Sequence, residues 1–112
     1  MSARARFLDL LVSLSYERRR VTLASGRESD FFIDCKQTIL TAEGHVLAGE
    51  LLLLELLPRF GPCEAVAGVE LGGCPLASAV SLTSYLRAGD TRHPPLPALY
   101  VRKKAKDHGT RR

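Results

Sequence analysis

The feature that most constrains the fold is a run of small and β-branched residues, Ala65–Val69 (AVAGV), followed at once by Glu-Leu-Gly-Gly and a proline. Such a run suits a buried parallel strand. The paired glycines turn the chain, and Pro75 fits the first turn of a helix that the pattern carries to about Leu86. After the loop AGDTRHPPLP, Ala98–Val101 reads as a second strand. Strand, helix, strand is the unit of a parallel sheet, so the chain is read as α/β.

Upstream, Phe7, Leu8, Leu10, Leu11, Val12 and Leu14 gather on one broad face of a helix over residues 3–17. Arg18–Arg20 would close it, since cations suit a helix C-terminus. Val21–Leu23 and Phe31–Cys35 are strand-like runs around the turn-forming SGRESD, which predicts that they pair as a hairpin. Thr41 is placed to cap a helix over Glu43–Leu57, with Leu47, Leu51, Leu54 and Leu57 on one face and Pro58 and Gly61 ending it. The divisions are 1–40, N-terminal helix and hairpin; 41–101, the start of an α/β core; and 102–112, a basic loop. Two parallel strands make an incomplete sheet, because typical sheets have more. The open edge beside the second strand invites aggregation.

Charge excludes one function class and points to another. The chain carries +4 over 112 residues, yet residues 102–112 alone hold six Lys or Arg and one Asp. The preceding residues hold ten Lys and Arg against eleven Asp and Glu, so the body is nearly neutral. A local anion site or a basic tail follows, not a basic domain; nucleic-acid binding is disfavoured further because no aromatics interleave the tail. Three cysteines without a CxxC indicate neither a disulfide framework nor a metal site. Reduced thiols fit a cytoplasmic protein. Asp9 interrupts the only signal-like run, and Leu51–Pro58 is too short to span a membrane, so no membrane association is expected.

In open α/β sheets, ligands gather beyond the carboxyl ends of the strands. Two segments leave such ends here. ELGGCP is either a plain tight turn or a place where Gly72 and Gly73 let an anion approach a helix N-terminus. VRKKAKDHGTRR is either a solvated tail or an anion-receiving loop. In the second case Arg102 forks onto phosphate oxygens, Lys103 and Lys106 add point charges, and His108 donates a proton.

The order of residue types in the last segment resembles the RKxxKxHG loop of the orotate phosphoribosyltransferases. Two further blocks resemble that family in order and spacing: LASGRESDFFIDCKQTIL and VAGVELGGCPLASAVS. The resemblance runs from about Phe7 to Thr110. It implies the N-terminal part of a type I phosphoribosyltransferase fold: an N-terminal helix and hairpin, then an incomplete parallel sheet with flanking helices. It also implies transfer of ribose 5-phosphate from phosphoribosyl pyrophosphate to orotate, giving orotidine 5'-monophosphate and pyrophosphate in pyrimidine synthesis. Mg²⁺ would arrive bound to the pyrophosphate, with no metal ligand in the chain.

By the same resemblance Lys103, Lys106 and His108 are catalytic, and with Arg102 they contact phosphoribosyl pyrophosphate. Gly72 and Gly73 lie beside its pyrophosphate. Phe32 and Ile33 adjoin the orotate ring, with Ser25 and Gly26 in the neighbouring turn. The family's loop closes over the site of an adjacent subunit, which implies a homodimer. This chain departs from the pattern at Ala24 and Gly72, where some relatives carry lysines, and at Lys104, where an acid is common. It also contains no counterpart of the family's VxxxDDVxTTG ribose-phosphate motif. The expectation is therefore a truncated or frameshifted product without activity by itself. The alternative is a non-catalytic remnant or anion-binding regulatory domain of the same family.

Overall fold

The computed structural model of the chain describes residues 1–91 and 93–104. Ser2 starts the first helix, α1 (Ala3–Leu10), by accepting the Ala5 N–H on its hydroxyl. The helix then widens into a π turn over Leu11–Ser15, and the chain leaves it as a two-residue strand, β1 (Tyr16–Glu17). The helical span thus ends at Ser15, two residues short of the expected 3–17, and Leu8, Val12 and Leu14 on it stay exposed. Arg18–Arg20 follow a strand and not a helix, so they do not serve a helix C-terminus.

The hairpin differs from the expected one. β2 (Val21–Thr22) pairs antiparallel with β3 (Glu28–Ser29), turning through Gly26 at φ +89°. β4 (Phe32–Ile33) pairs instead with β1, Tyr16 opposite Ile33 and Glu17 opposite Phe32. Leu23 donates to the Arg27 carbonyl and Gly26 to the Leu23 carbonyl, which closes the turn too early for Phe31–Cys35 to reach Val21. Tyr16 and Phe31 stack with centroids 6.1 Å apart, adding an aromatic contact beside the β1–β4 pair.

A short helix, α2 (Lys36–Ile39), not read from the sequence, carries Thr38 into full burial. There the Thr38 hydroxyl meets the Ser15 hydroxyl at 2.6 Å and the Leu10 carbonyl at 3.2 Å. Such a buried hydroxyl pair needs both partners, because an unmatched one costs about 1–3 kcal/mol. Thr41 caps α3 (Ala42–Leu51) by accepting the Gly44 N–H at 3.0 Å, as its position suggested. Gly44 packs so closely that a Cβ there would lie 1.9 Å from the Thr38 carbonyl oxygen.

From Leu52 to Leu56 the helix again widens into a π turn, then ends in a 3-10 turn over Leu57–Arg59. This rotates the buried face. Leu53, outside the stripe of Leu47, Leu51, Leu54 and Leu57, becomes completely buried and forms the core with Val80 and Leu96. Leu52, Leu54, Leu57, Cys63 and Val66 pack around it.

β5 (Val66–Val69), α4 (Cys74–Leu86) and β6 (Ala98–Val101) form the expected right-ordered unit, with β5 and β6 parallel from Val66 opposite Ala98 to Val69 opposite Val101. Ala77, Val80 and Ser84 of α4 are buried. Gly49 lets α3 cross α4 closely, since a Cβ there would come 2.5 Å from the Thr83 hydroxyl. The loop before β6 is anchored, not loose: the Ser84 hydroxyl accepts the Leu96 N–H at 2.8 Å, and His93 is buried. The strands are less buried than a parallel sheet usually is. α4 covers one face, where Ser78 bonds the Tyr100 hydroxyl, while Ala67, Val69, Leu99 and Val101 face outward and are exposed. Among the described residues no helix is long and apolar enough to cross a membrane.

Candidate functional site at the carboxyl end of the sheet

Because β5 and β6 run parallel and in register to their last residues, both segments that leave them emerge at one end. The Glu70 N–H donates to the Val101 carbonyl at 2.8 Å, prolonging the pairing by one step. The Lys103 N–H then donates to the Glu70 carboxylate at 2.6 Å. The turn after β5 and the basic segment after β6 are thus tied side by side.

The turn itself is built by close backbone packing. The Glu70–Leu71 peptide bond is cis. Gly73 donates its N–H to the Val69 carbonyl at 2.9 Å, and Cys74 donates to the Leu71 carbonyl at 3.1 Å. A Cβ on Gly68 would lie 2.2 Å from the Gly73 carbonyl oxygen, and one on Gly73 would lie 2.8 Å from the Val69 nitrogen. Gly68 and Gly73 are therefore required by the fold-back of the turn onto its own strand. Gly72 is different: it is exposed, and nothing lies within 4 Å of where its Cβ would be. Gly73 precedes α4, so the partial positive charge of a helix of 13 residues is aimed at this turn.

Of the residues singled out from sequence, Gly72, Gly73, Arg102 and Lys103 come together at this sheet end. Arg102, Lys103 and Lys104 are exposed, so their charges meet solvent and any incoming anion. Lys106 and His108 lie outside the described residues. Phe32 and Ile33 sit on a separate strand pair and, by the alternation of a strand, on opposite faces of it: Phe32 is half-buried and Ile33 is exposed.

Phe32 has surroundings that the sequence reading missed. The Arg19 guanidinium lies 5.1 Å from the centroid of its ring. Arg19, Arg20, Val21, Thr22, Leu23, Ala24 and Phe32 line one open cavity of about 510 Å³. The sequence pattern predicts Arg18–Arg20 to be helix-terminal charges. The signal available in the sequence was the acids around them, because Arg19 pairs with Glu17, and Arg20 with Glu28 at 3.0 Å and Asp30 at 3.2 Å.

Two acids elsewhere are held below the ordinary carboxylate range. A hydrogen bond from Arg6, reinforced by its charge, does this to Glu43. Hydrogen bonds from Lys36 and Gln37 do it to Asp34, at the start of α2. Both are structural fastenings away from the sheet end.

A two-stranded parallel unit with a glycine turn and a basic segment at one end, preceded by a helix and short strand pairs, matches the fold of type I phosphoribosyltransferases over part of their length. No protein-family model matches the chain. An orotate phosphoribosyltransferase of Sorangium cellulosum (strain So ce56) is 67% identical over 113 residues, covering 99% of this chain and 55% of that relative. The Mycobacterium tuberculosis H37Rv orotate phosphoribosyltransferase in complex with Fe(III) dicitrate superposes with a TM-score of 0.68 at 33% identity, covering 96% of this chain and 56% of the other. The same enzyme in complex with 5-phospho-alpha-D-ribosyl 1-diphosphate gives a TM-score of 0.63 at 29% identity, covering 96% and 58%. The chain is similar to orotate phosphoribosyltransferases over nearly its whole length and spans about half the length of the curated relatives it matches.

Proposed function

We propose that this chain supplies the orotate-facing and pyrophosphate-facing portion of an orotate phosphoribosyltransferase. The reaction is transfer of ribose 5-phosphate from phosphoribosyl pyrophosphate to a nitrogen of orotate, yielding orotidine 5'-monophosphate and pyrophosphate. The observation that carries the reading is the fastening of the Glu70–Gly73 turn to the Arg102–Lys103 segment at the end of the parallel strands. The 67% identity to a relative of that name and the likeness to an enzyme solved with phosphoribosyl pyrophosphate support it.

The chemistry asks for such a place. As pyrophosphate departs, positive character grows on the sugar's C1 carbon and negative charge on the leaving oxygens, as in glycoside cleavage. Prepositioned cations and backbone donors lower that barrier because they need little reorganisation. In this reading Arg102, Lys103, Lys106 and His108 receive the diphosphate, with Lys103, Lys106 and His108 acting on the leaving group. Gly72 and Gly73 leave room beside it, and Phe32 and Ile33 adjoin orotate. Mg²⁺ arrives with the diphosphate as part of the substrate. A cytoplasmic homodimer, in which the basic loop serves a neighbouring site, completes the proposal.

A graft tests it. These 112 residues replace the matching span of the Sorangium cellulosum relative, and orotate absorbance is followed with phosphoribosyl pyrophosphate and Mg²⁺. The graft is expected to form the nucleotide, and Arg102→Ala with Lys103→Ala to suppress it. A folded but inert graft, or one indifferent to those substitutions, would falsify the proposal.

A further inference from the structure

The parallel strands are tied at both ends, and the amino end brings a thiol against an imidazole. Cys63 leads into β5, which starts at Val66, and His93 leads into β6, which starts at Ala98. The Val66 N–H donates to the Pro97 carbonyl at 3.0 Å, so the two lead-in segments run side by side. Cys63 Sγ lies 3.9 Å from His93 Nδ1, a hydrogen-bond distance for sulfur, between residues 30 apart in sequence. His93 is only 4% exposed, and its other ring nitrogen, Nε2, has no partner among the described residues. A side chain that merely filled space would be apolar here, because an unpartnered buried nitrogen costs stability. Cys63 is half-buried between exposed Pro62 and Glu64, and it packs against the core of Leu53, Val80 and Leu96.

We infer that Cys63 and His93 form a peroxide-sensitive clasp that fastens the segment entering β6 to the core. The inference goes beyond the proposed function and does not depend on it. With Nδ1 accepting the thiol hydrogen, His93 is placed to act as the base while the Cys63 sulfur attacks hydrogen peroxide. The S–H bond breaks and its proton passes to Nδ1. An S–O bond forms as the O–O bond breaks, and the departing hydroxide takes the proton back from Nδ1 and leaves as water. The sulfur is oxidised by two electrons to a sulfenic acid, and the peroxide is reduced by the same two. The other thiols lack this arrangement. Cys74 is buried and donates to the Gly68 carbonyl, which is no base. Cys35 is exposed, but no ring nitrogen bonds its sulfur among the described residues. Oxidation at Cys63 sets a polar oxygen against Leu53, Val80 and Leu96, which disfavours the closed packing. The segment released carries Leu96, whose N–H donates to the Ser84 hydroxyl at 2.8 Å.

The test treats the 112-residue chain with hydrogen peroxide in the presence of a cyclic diketone that traps sulfenic acid, and reads each cysteine by peptide mass spectrometry. Cys63 is expected to be trapped roughly tenfold faster than Cys35 despite its lesser exposure, a modest share of what a positioned base contributes. In urea the Cys63 rate should fall to that of Cys35, since unfolding exposes the thiol but parts it from His93. His93→Gln should lower the Cys63 rate to the same level and leave Cys35 unaltered. That variant is decisive even if it unfolds, because exposure alone raises the rate whereas loss of the base lowers it. Hydrogen exchange at the Leu96 amide should accelerate after peroxide in the unaltered chain, and not in Cys63→Ser treated alike. Cys35 reacting ahead of Cys63 overturns the inference, as does a Cys63 rate that holds or rises in urea or in His93→Gln. Oxidation of Cys63 with no change in Leu96 exchange also overturns it, because the pair then fastens nothing.

Discussion

The Lys103 N–H reaches the Glu70 carboxylate across 2.6 Å, joining two segments that lie 33 residues apart in sequence. A carboxylate accepting a backbone N–H makes a stronger bond than a neutral pair, though exposure of Lys103 to solvent weakens it. Glu70→Ala should therefore free the Lys103 amide. Hydrogen exchange at Lys103 is expected to speed up roughly fivefold to tenfold, consistent with a bond worth about 1 kcal/mol. The buried amides of α4 should keep their protection. Unchanged exchange at Lys103 would show that the two segments are not tied through Glu70.

The glycines of the turn should separate into two kinds. Gly68→Ala forces a Cβ to within 2.2 Å of the Gly73 carbonyl oxygen, and Gly73→Ala to within 2.8 Å of the Val69 nitrogen. Both obstacles are backbone and cannot swing aside. Each substitution is expected to cost at least the 1–3 kcal/mol usual for overpacking, Gly68→Ala more. Gly72→Ala meets open space and should shift the urea midpoint little. Equal destabilisation by all three would contradict this account of the turn.

These contacts mark where the sequence was legible and where it was not. β5, α4 and β6 could be read almost to the residue, because a strand of small residues, a turn, a Pro-started helix and a second strand are each encoded locally. Their parallel register in turn brings Gly72 and Gly73 beside Arg102 and Lys103. The pairing of β4 with β1 was not legible. It depends on where the turn through Gly26 closes and on contacts between residues 16–17 and 32–33, which no local pattern reports. Leu53 escaped notice because the π turn rotates the helix after Leu51, and Leu96 because it plugs the core from a loop. Family resemblance pointed to Phe32, but only the fold shows Arg19 beside it.

The Arg6–Glu43 pair fastens α1 to α3 through two hydrogen bonds, Nε to Oε2 at 2.7 Å and Nη2 to Oε1 at 2.8 Å. The bond from Arg6 and its charge hold the Glu43 carboxyl below its ordinary value. A depressed acid contributes stability that is present above its unfolded value and lost as pH falls through the folded one. The unaltered chain should thus exceed Glu43→Gln in stability near pH 7, and the gap should shrink as pH drops below about 4. Urea melts of both at several pH values measure it. High salt should narrow the gap as well, since both groups are exposed. A gap that widens in acid would reverse the sign of the argument.

The outward face of the β5–β6 sheet presents Val69, Leu99 and Val101 at 50%, 53% and 44% exposure, and no described element covers it. A sheet face with apolar side chains on view and unpaired backbone at its edge is a template for association. The 112-residue chain is accordingly expected to run larger than a monomer in size-exclusion chromatography with light scattering. Apparent mass should rise with concentration. Replacing Leu99 with Asn and Val69 with Thr retains strand-compatible shape at one position, removes apolar area at both, and should move the population toward monomer. If association is instead driven elsewhere, for instance by the apolar groove that Phe7, Leu8, Leu11 and Leu52 line between α1 and the helix after α3, the double substitution will leave the elution unchanged. A sharp monomer peak from the unaltered chain would show that this sheet face tolerates water as it stands.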